Sequence, residues 1–245
     1  MQKNVTPSPY RKILSRIMFA LVLLGAVGQF TRFLMSAEVV HIEIEGMDRA
    51  SEVSIRHLAD LREGDRLLGL DLERVVNSVK RHPWVAEAQI KRKFPSTVRI
   101  QVQEHQPVLL LAHRGLFFVS DFGEIFVRAR TLGVDLPVLT GVPSSLIDDQ
   151  PAVAQRIINE ALNVLTSVKA SSAIEPNRLS EIRFDEKLGF SLHLRNHSRI
   201  HLGFRPPLDQ MTRLEQMLRQ GLDLSARLEV DLDLDGMAVA SPLAG

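Results

Sequence analysis

An apolar run near the N-terminus constrains this chain more than any other feature. From Ile13 to Leu34 the sequence is almost wholly apolar, and its centre, Ile17 to Phe30 (IMFALVLLGAVGQF), carries no charge. As a helix rising about 1.5 Å per residue, the run spans roughly 33 Å, enough to cross a hydrocarbon core of about 30 Å. Arg16 and Arg32 then fall near the two interfaces, where long side chains reach back to the headgroups. Lys3, Arg11, Lys12 and Arg16 stand before the uncharged centre with no Asp or Glu among them, and such an excess of positive charge stays in the cytoplasm. The expectation is a cytoplasmic tail at 1–12, one transmembrane helix at 13–35 and a body on the far side, a single-pass type II arrangement. A cleaved signal peptide competes, since the uncharged centre alone has a suitable length. Against it, apolar residues resume at Phe33, Leu34 and Met35, and Met35-Ser36-Ala37 makes a poor cleavage site.

The remainder of the 245 residues is enough for about two small domains. With 30 basic and 29 acidic residues the net charge is +1, which gives no pull toward nucleic acid. Cysteine is absent. That removes disulfides, thiolate metal sites, cysteine nucleophiles and a lipoprotein anchor together, so each domain must rest on its apolar core.

Residues 38–106 read as a β-α-α-β-β unit. Val40, Ile42 and Ile44 alternate with His41, Glu43 and Glu45 and end at Gly46, as in a half-buried strand. Ser51 and the stretch to Leu61 predict a short helix whose stripe is Val53, Ile55, Leu58 and Leu61. Asp71 is placed to cap a second helix carrying Leu72, Val75, Val76 and Val79, which Pro83 stops. Strands Val85 to Lys91 and Thr97 to Gln103 follow, with Phe94-Pro95-Ser96 as the turn between them. Trp84 is read as a structural plug between sheet and helices, and Arg92 and Lys93 as solvated charges.

Three pieces here, His82-Pro83-Trp84-Val85, Arg92-Lys93-Phe94-Pro95-Ser96 and Val98-x-Ile100-x-Val102-x-Glu104-His105-Gln106-Pro107-Val108, resemble in order the signature of the POTRA domain of FtsQ/DivIB proteins. The resemblance implies an α+β chain: one transmembrane helix, a POTRA domain, then a β-rich domain with two packed helices.

Residues 107–241 fit that second domain. Leu109, Leu111 and the stretch Leu116 to Val119 are extended and apolar, and Ser120-Asp121-Phe122-Gly123 is a turn before Ile125-Phe126-Val127. Asp121-Phe122-Gly123 spells a kinase motif, but no glycine loop or catalytic loop accompanies it. This turn and Leu136-Pro137-Val138-Leu139-Thr140-Gly141 also resemble the family. Between Pro151 and Lys169, Val153, Ile157, Ile158, Ala161, Leu162, Leu165 and Val168 recur at helical spacing. Strand patterns follow at Ile182 and Phe184, at Phe190, Leu192 and Leu194, and at Ile200, Leu202 and Phe204. Equal parity places Leu194 opposite Ile200, centres the loop on His197 and sets His193 opposite His201. Residues four apart along strands lie at different depths, which argues against these histidines as a metal site. Pro206 and Pro207 open a helix with Leu208, Met211, Leu214, Met217 and Leu218 as its stripe.

The chain closes with Leu228-Glu229-Val230-Asp231-Leu232-Asp233-Leu234, then Asp235-Gly236 as a turn before Met237, Ala238, Val239 and Ala240. This end resembles the Val-Asp-Leu-Arg terminus of the family, with Asp233 where a basic residue is common. The expectation is a terminal sheet edge that takes a strand from a partner, with Glu229, Asp231 and Asp233 selecting basic side chains. No Gly-x-Ser-x-Gly elbow, Ser-x-x-Lys pair, His-Glu-x-x-His helix or P-loop is present, so no enzyme activity, cofactor or metal is expected. The resemblance implies a non-enzymatic divisome scaffold at the division septum. Its partners would be FtsB and FtsL-like single-pass proteins, other divisome membrane proteins through the POTRA domain, and membrane lipid. A secreted POTRA-type binding or chaperone protein and a cell-wall hydrolase are the alternatives.

Overall fold

The computed structural model describes residues 9–129, 134–234 and 238–242. The Asp235-Gly236 turn and Met237, expected as part of the terminal edge, lie outside the described residues, as does Lys3 in the tail. By contacts the chain divides into two compact units at Glu104 and His105.

In the first unit, α1 (Pro9–Met35) holds the apolar segment Leu14–Phe33, whose mean hydropathy is 1.6 and none of which is buried by protein. The order is then β1 (His41–Glu45), α2 (Glu52–Ala59), α3 (Leu72–Val79), β2 (Val85–Lys93) and β3 (Thr97–Glu104). Both helices begin as their capping residues dictate. The Ser51 hydroxyl accepts from the Ser54 N–H, and the Asp71 carboxylate from the Arg74 N–H at 3.0 Å. In the sheet β3 lies centrally, parallel to β1 and antiparallel to β2. Ile55, Ala59, Val75 and Val79 from the helices meet Val98, Ile100 and Val102 in the core. Two expected core positions fall outside it: Val40 and Val53 are exposed, while Val39 and Ala59 are buried. The Val39 N–H donates to the Asp65 carbonyl and turns the chain one residue earlier than strand alternation from Val40 implies. The Phe94–Pro95 bond in the β2–β3 turn is cis.

Trp84 is half-buried against this core, with the Arg49 guanidinium 4.7 Å from its ring centre. A fully buried tryptophan would cost about 3–5 kcal/mol on truncation. For Trp84→Ala at this half-covered site the expected loss is about 2 kcal/mol, including a cation–π contribution of the size found at exposed sites. Thermal melts measure it, and an unchanged melting temperature with lost partner binding would instead make Trp84 a contact residue.

The second unit is a nine-stranded mixed sheet. In chain order its elements are β4 (Pro107–Ala112), β5 (Leu116–Ser120), β6 (Ile125–Arg128), β7 (Val138–Thr140), α4 (Ser144–Asp149), α5 (Pro151–Ala170), β8 (Leu179–Asp185), β9 (Gly189–Leu194), β10 (Arg199–Gly203), α6 (Pro207–Arg219), β11 (Leu228–Asp231) and β12 (Val239–Pro242). Across the sheet the order is β12-β11-β10-β9-β8-β7-β4-β5-β6. Helices α5 and α6 pack together, and Ile158, Ala161, Leu165 and Leu214 join Leu139, Ile182, Leu192 and Ile200 in one core.

The β9–β10 hairpin departs from the expected register by two residues: Ile200 faces Leu192 and Arg199 faces His193. The loop is Arg195-Asn196-His197, closed by the Leu194–Ser198 bond. The His197 N–H returns to the Leu194 carbonyl, and His197 itself is left-handed at φ 66°. This is a tight turn followed by a left-handed bulge residue, so the loop centre is Asn196. His201 accordingly faces Ser191, not His193. An irregularity between His201 and Gly203 also turns Phe204 out to solvent. On α6, Leu208 is exposed and Gln210 takes the inward position.

Candidate partner-binding edge

The expected terminal strand is divided in two. β11 is an interior strand, parallel to β10 through Arg199–Glu229, Ile200–Val230 and His201–Asp231 and antiparallel to β12 through Glu229–Ser241, Val230–Ala240 and Asp231–Val239. Residues Leu228 to Leu234 are therefore not the sheet edge. The edge on this side of the sheet is β12, further along the chain.

Local contacts fix β11 in place. The Leu228 N–H donates to the Ser198 hydroxyl and the Leu232 N–H to the His201 carbonyl, both at 3.0 Å. Gln210, fully buried, donates its side-chain amide to the Leu202 and Leu232 carbonyls, and Arg213 donates to the same Leu232 carbonyl at 2.7 Å. Val230 and Leu232 are wholly buried. The acidic row is also engaged within the domain. Glu229 pairs with His201 at 2.9 Å, Asp233 with Arg205 at 3.3 Å, and Asp231 accepts from the Asp233 N–H. Those carboxylates hold the strand's own neighbourhood instead of facing an added strand. Leu234 is exposed beyond the end of β11.

Since Leu228 and Leu232 point their N–H groups at β10, alternation sends those of Glu229 and Asp231 toward β12. Val239 and Ser241 then pair inward. The backbone of Ala240 faces outward, and Pro242 in the same row has no N–H to present. All four β12 residues are exposed, and Ala238 packs partly on the core. Thus Val239 and Ala240 of the expected contact residues lie on the edge, Ala238 leads into it, and Ser241 and Pro242 extend it. The small-residue alternation after Gly236 was the available sequence signal for this last strand.

The histidines on the sheet face are spread out. His193 lies near Glu181 and Ser191, and burial together with Arg199 and Arg183 pushes its pKa below the ordinary histidine value, Glu181 partly opposing. Among the described residues no group of three or more His, Cys, Asp or Glu is placed to hold a metal ion.

Family models match both units: the FtsQ-type POTRA domain at residues 38–105, and the C-terminal domain of cell division protein FtsQ/DivIB at 110–238. The chain belongs to the FtsQ/DivIB family. A cell division protein FtsQ of Anaeromyxobacter sp. (strain K) is 33% identical over 198 residues, covering 80% of this chain and 67% of the relative. That of Myxococcus fulvus is 29% identical over 204 residues, with 83% and 70% covered. That of Geotalea daltonii is 26% identical, with 94% of this chain and 89% of the relative covered. The match to the FtsQ/DivIB C-terminal domain stops at 238, so the edge strand begins one residue beyond it.

One residue inside the FtsQ-type signature has a part that pattern reading missed. Glu104, 8% exposed at the end of β3, accepts from the N–H groups of Asp48, Arg49 and Ala50 at 2.8–3.1 Å. Burial alone would raise its pKa, but these three donors, with His82 nearby, hold it below the usual carboxylate value. Glu104 thereby ties the β1–α2 turn to the last residue of the sheet.

Proposed function

We propose that this FtsQ/DivIB-family protein is a non-enzymatic scaffold of the division septum. It is anchored in the inner membrane by α1 with its N-terminus in the cytoplasm, and it holds FtsB and FtsL-like single-pass proteins by strand addition at β12. The observation that carries the reading is an exposed edge strand whose outer backbone row pairs with no other strand among the described residues, next to an interior strand whose side chains are already engaged. Main-chain pairing supplies affinity at such an edge, and alternate side-chain pockets supply choice of partner.

The edge makes a direct test possible. Ala240→Pro removes the outward N–H while leaving the inward pairs of Val239 and Ser241 in place. Pull-down of FtsB and FtsL-like partners by the full detergent-solubilised chain is expected to weaken at least about tenfold, the equivalent of 1.4 kcal/mol. Leu232→Pro should instead damage the fold, because that N–H is spent on the His201 carbonyl. Equal binding by Ala240→Pro and the parent chain would place the interface elsewhere, with the POTRA domain next in line. For the anchor, the expected intact mass of membrane-extracted protein is that of the uncleaved chain. A mature N-terminus near Glu38 would favour the secreted binding protein.

A further inference from the structure

Large apolar side chains left exposed between residues 36 and 104 are few: Val40 at 49%, Val53 at 78%, Leu68 at 46% and Phe94 at 48%. All except Val53 lie at one end of the domain, the end where α1 enters. Backbone hydrogen bonds fix that placement. The Leu67 N–H donates to the Ala37 carbonyl, the Val39 N–H to that of Asp65, the Gly64 N–H to that of Val39 and the Val40 N–H to that of Ser96, all at 2.8–2.9 Å. The Arg92 guanidinium joins the same end by donating to the Leu67 and Leu70 carbonyls.

No free linker therefore separates the membrane helix from the domain. α1 ends at Met35, and Ala37 is already paired with the 67–69 turn, against which the helix end lies. If Leu14–Phe33 fills a hydrocarbon core of about 30 Å, residues 36–40 and everything bonded to them fall within the headgroup layer. Val53 is at the other end, since α2 starts beside the Glu104 terminus of β3. The eight residues of β3 separate the two ends by roughly 25 Å.

We infer that this end of the domain is a bilayer-docking surface, with Val40, Leu68 and Phe94 entering the headgroup layer of the phospholipid leaflet from which α1 emerges. The inference rests on α1 spanning the membrane. Charge plays little part in it. Around the three apolar side chains Arg62, Arg66 and Lys93 are offset by Asp60, Glu63 and Glu43, and two of these basic residues already pair with acidic partners. The contact is apolar, so it does not need anionic lipid. It fixes the tilt of the domain on the membrane surface.

The absence of cysteine makes single-site labelling straightforward. The full chain is placed in nanodiscs with a fluorophore at Leu68→Cys, Phe94→Cys, Val53→Cys or Gly25→Cys, and a nitroxide quencher is carried on the lipid near the headgroup–acyl boundary. Interfacial segments sit about 5–10 Å into that boundary, so labels at 68 and 94 are expected to be quenched at least about twofold more than the label at 53. The quenching is expected to be equal in phosphatidylcholine alone and with added phosphatidylglycerol. A label at 25 shielded from aqueous quencher, with 68 and 94 no more lipid-quenched than 53, overturns the docking surface and leaves the spanning helix intact. A label at 25 open to water overturns the spanning reading itself. Quenching that appears only with phosphatidylglycerol overturns the apolar account.

Discussion

Replacing Glu104 with alanine is expected to destabilise the N-terminal domain by about 3 kcal/mol, which is most of what a domain of this size has to lose. The reason is the three N–H groups of Asp48, Arg49 and Ala50, of which the one on Ala50 is buried and has the Glu104 carboxylate as its acceptor. A charged acceptor makes each bond stronger than a neutral pair, and its removal leaves a buried donor without a partner. Glu104→Gln keeps the shape and one acceptor oxygen and should fall between. The pH dependence has a definite sign. Because the folded pKa is depressed, the charged form contributes fully above the unfolded value of about 4.3 and its contribution is lost as pH falls through the folded pKa. The stability gap between the parent chain and Glu104→Gln should therefore shrink between pH 7 and the strongly acidic range. Trp84 is the sole tryptophan and lies in this domain, so its fluorescence during denaturant unfolding reports the quantity directly. A gap that stays constant on acidification would mean the carboxylate charge is not what holds the turn.

Gly141→Ala is expected to cost the second domain about 3 kcal/mol, by the combination of a left-handed backbone and a backbone clash. Gly141 follows β7 with φ 78°, and a Cβ there would lie 2.0 Å from the Phe184 carbonyl oxygen of β8. That atom belongs to a paired strand and cannot turn aside as a flexible side chain could. Gly221→Ala is the comparison, since its φ is also positive but a Cβ would meet nothing within 4 Å. It should cost about 1 kcal/mol, the conformational part alone. Urea midpoints of both variants decide the matter: similar losses would show that the close approach of β7 and β8 is not what requires glycine.

Much of the local structure was legible because it depends on neighbours in the chain. Asp71 and Ser51 cap their helices through the N–H groups three residues on, and the 3.6-residue period of Ile157, Ile158, Ala161 and Leu165 puts α5 on the core whatever lies opposite. The signature from His82 to Val108 carried the family in the same way. What the sequence by itself determined was thus the long apolar N-terminal helix, the helices with their caps, the strand alternation and the family. Sheet order and register were decided only in the tertiary structure. The alternation of β11 reads the same whether the strand is terminal or interior, since the neighbour on its second side is β12, which lies further along the chain. Equal parity allowed two registers for β9 and β10, and a left-handed His197 selected the shorter loop. Glu104 shares the parity of Val98, Ile100 and Val102, so alternation alone puts it on the buried face, but its donors are more than fifty residues away in sequence and no local pattern names them. A side chain's local pattern records which face it occupies. Its partner across the fold depends on which distant backbone groups the packed core leaves unpaired beside it.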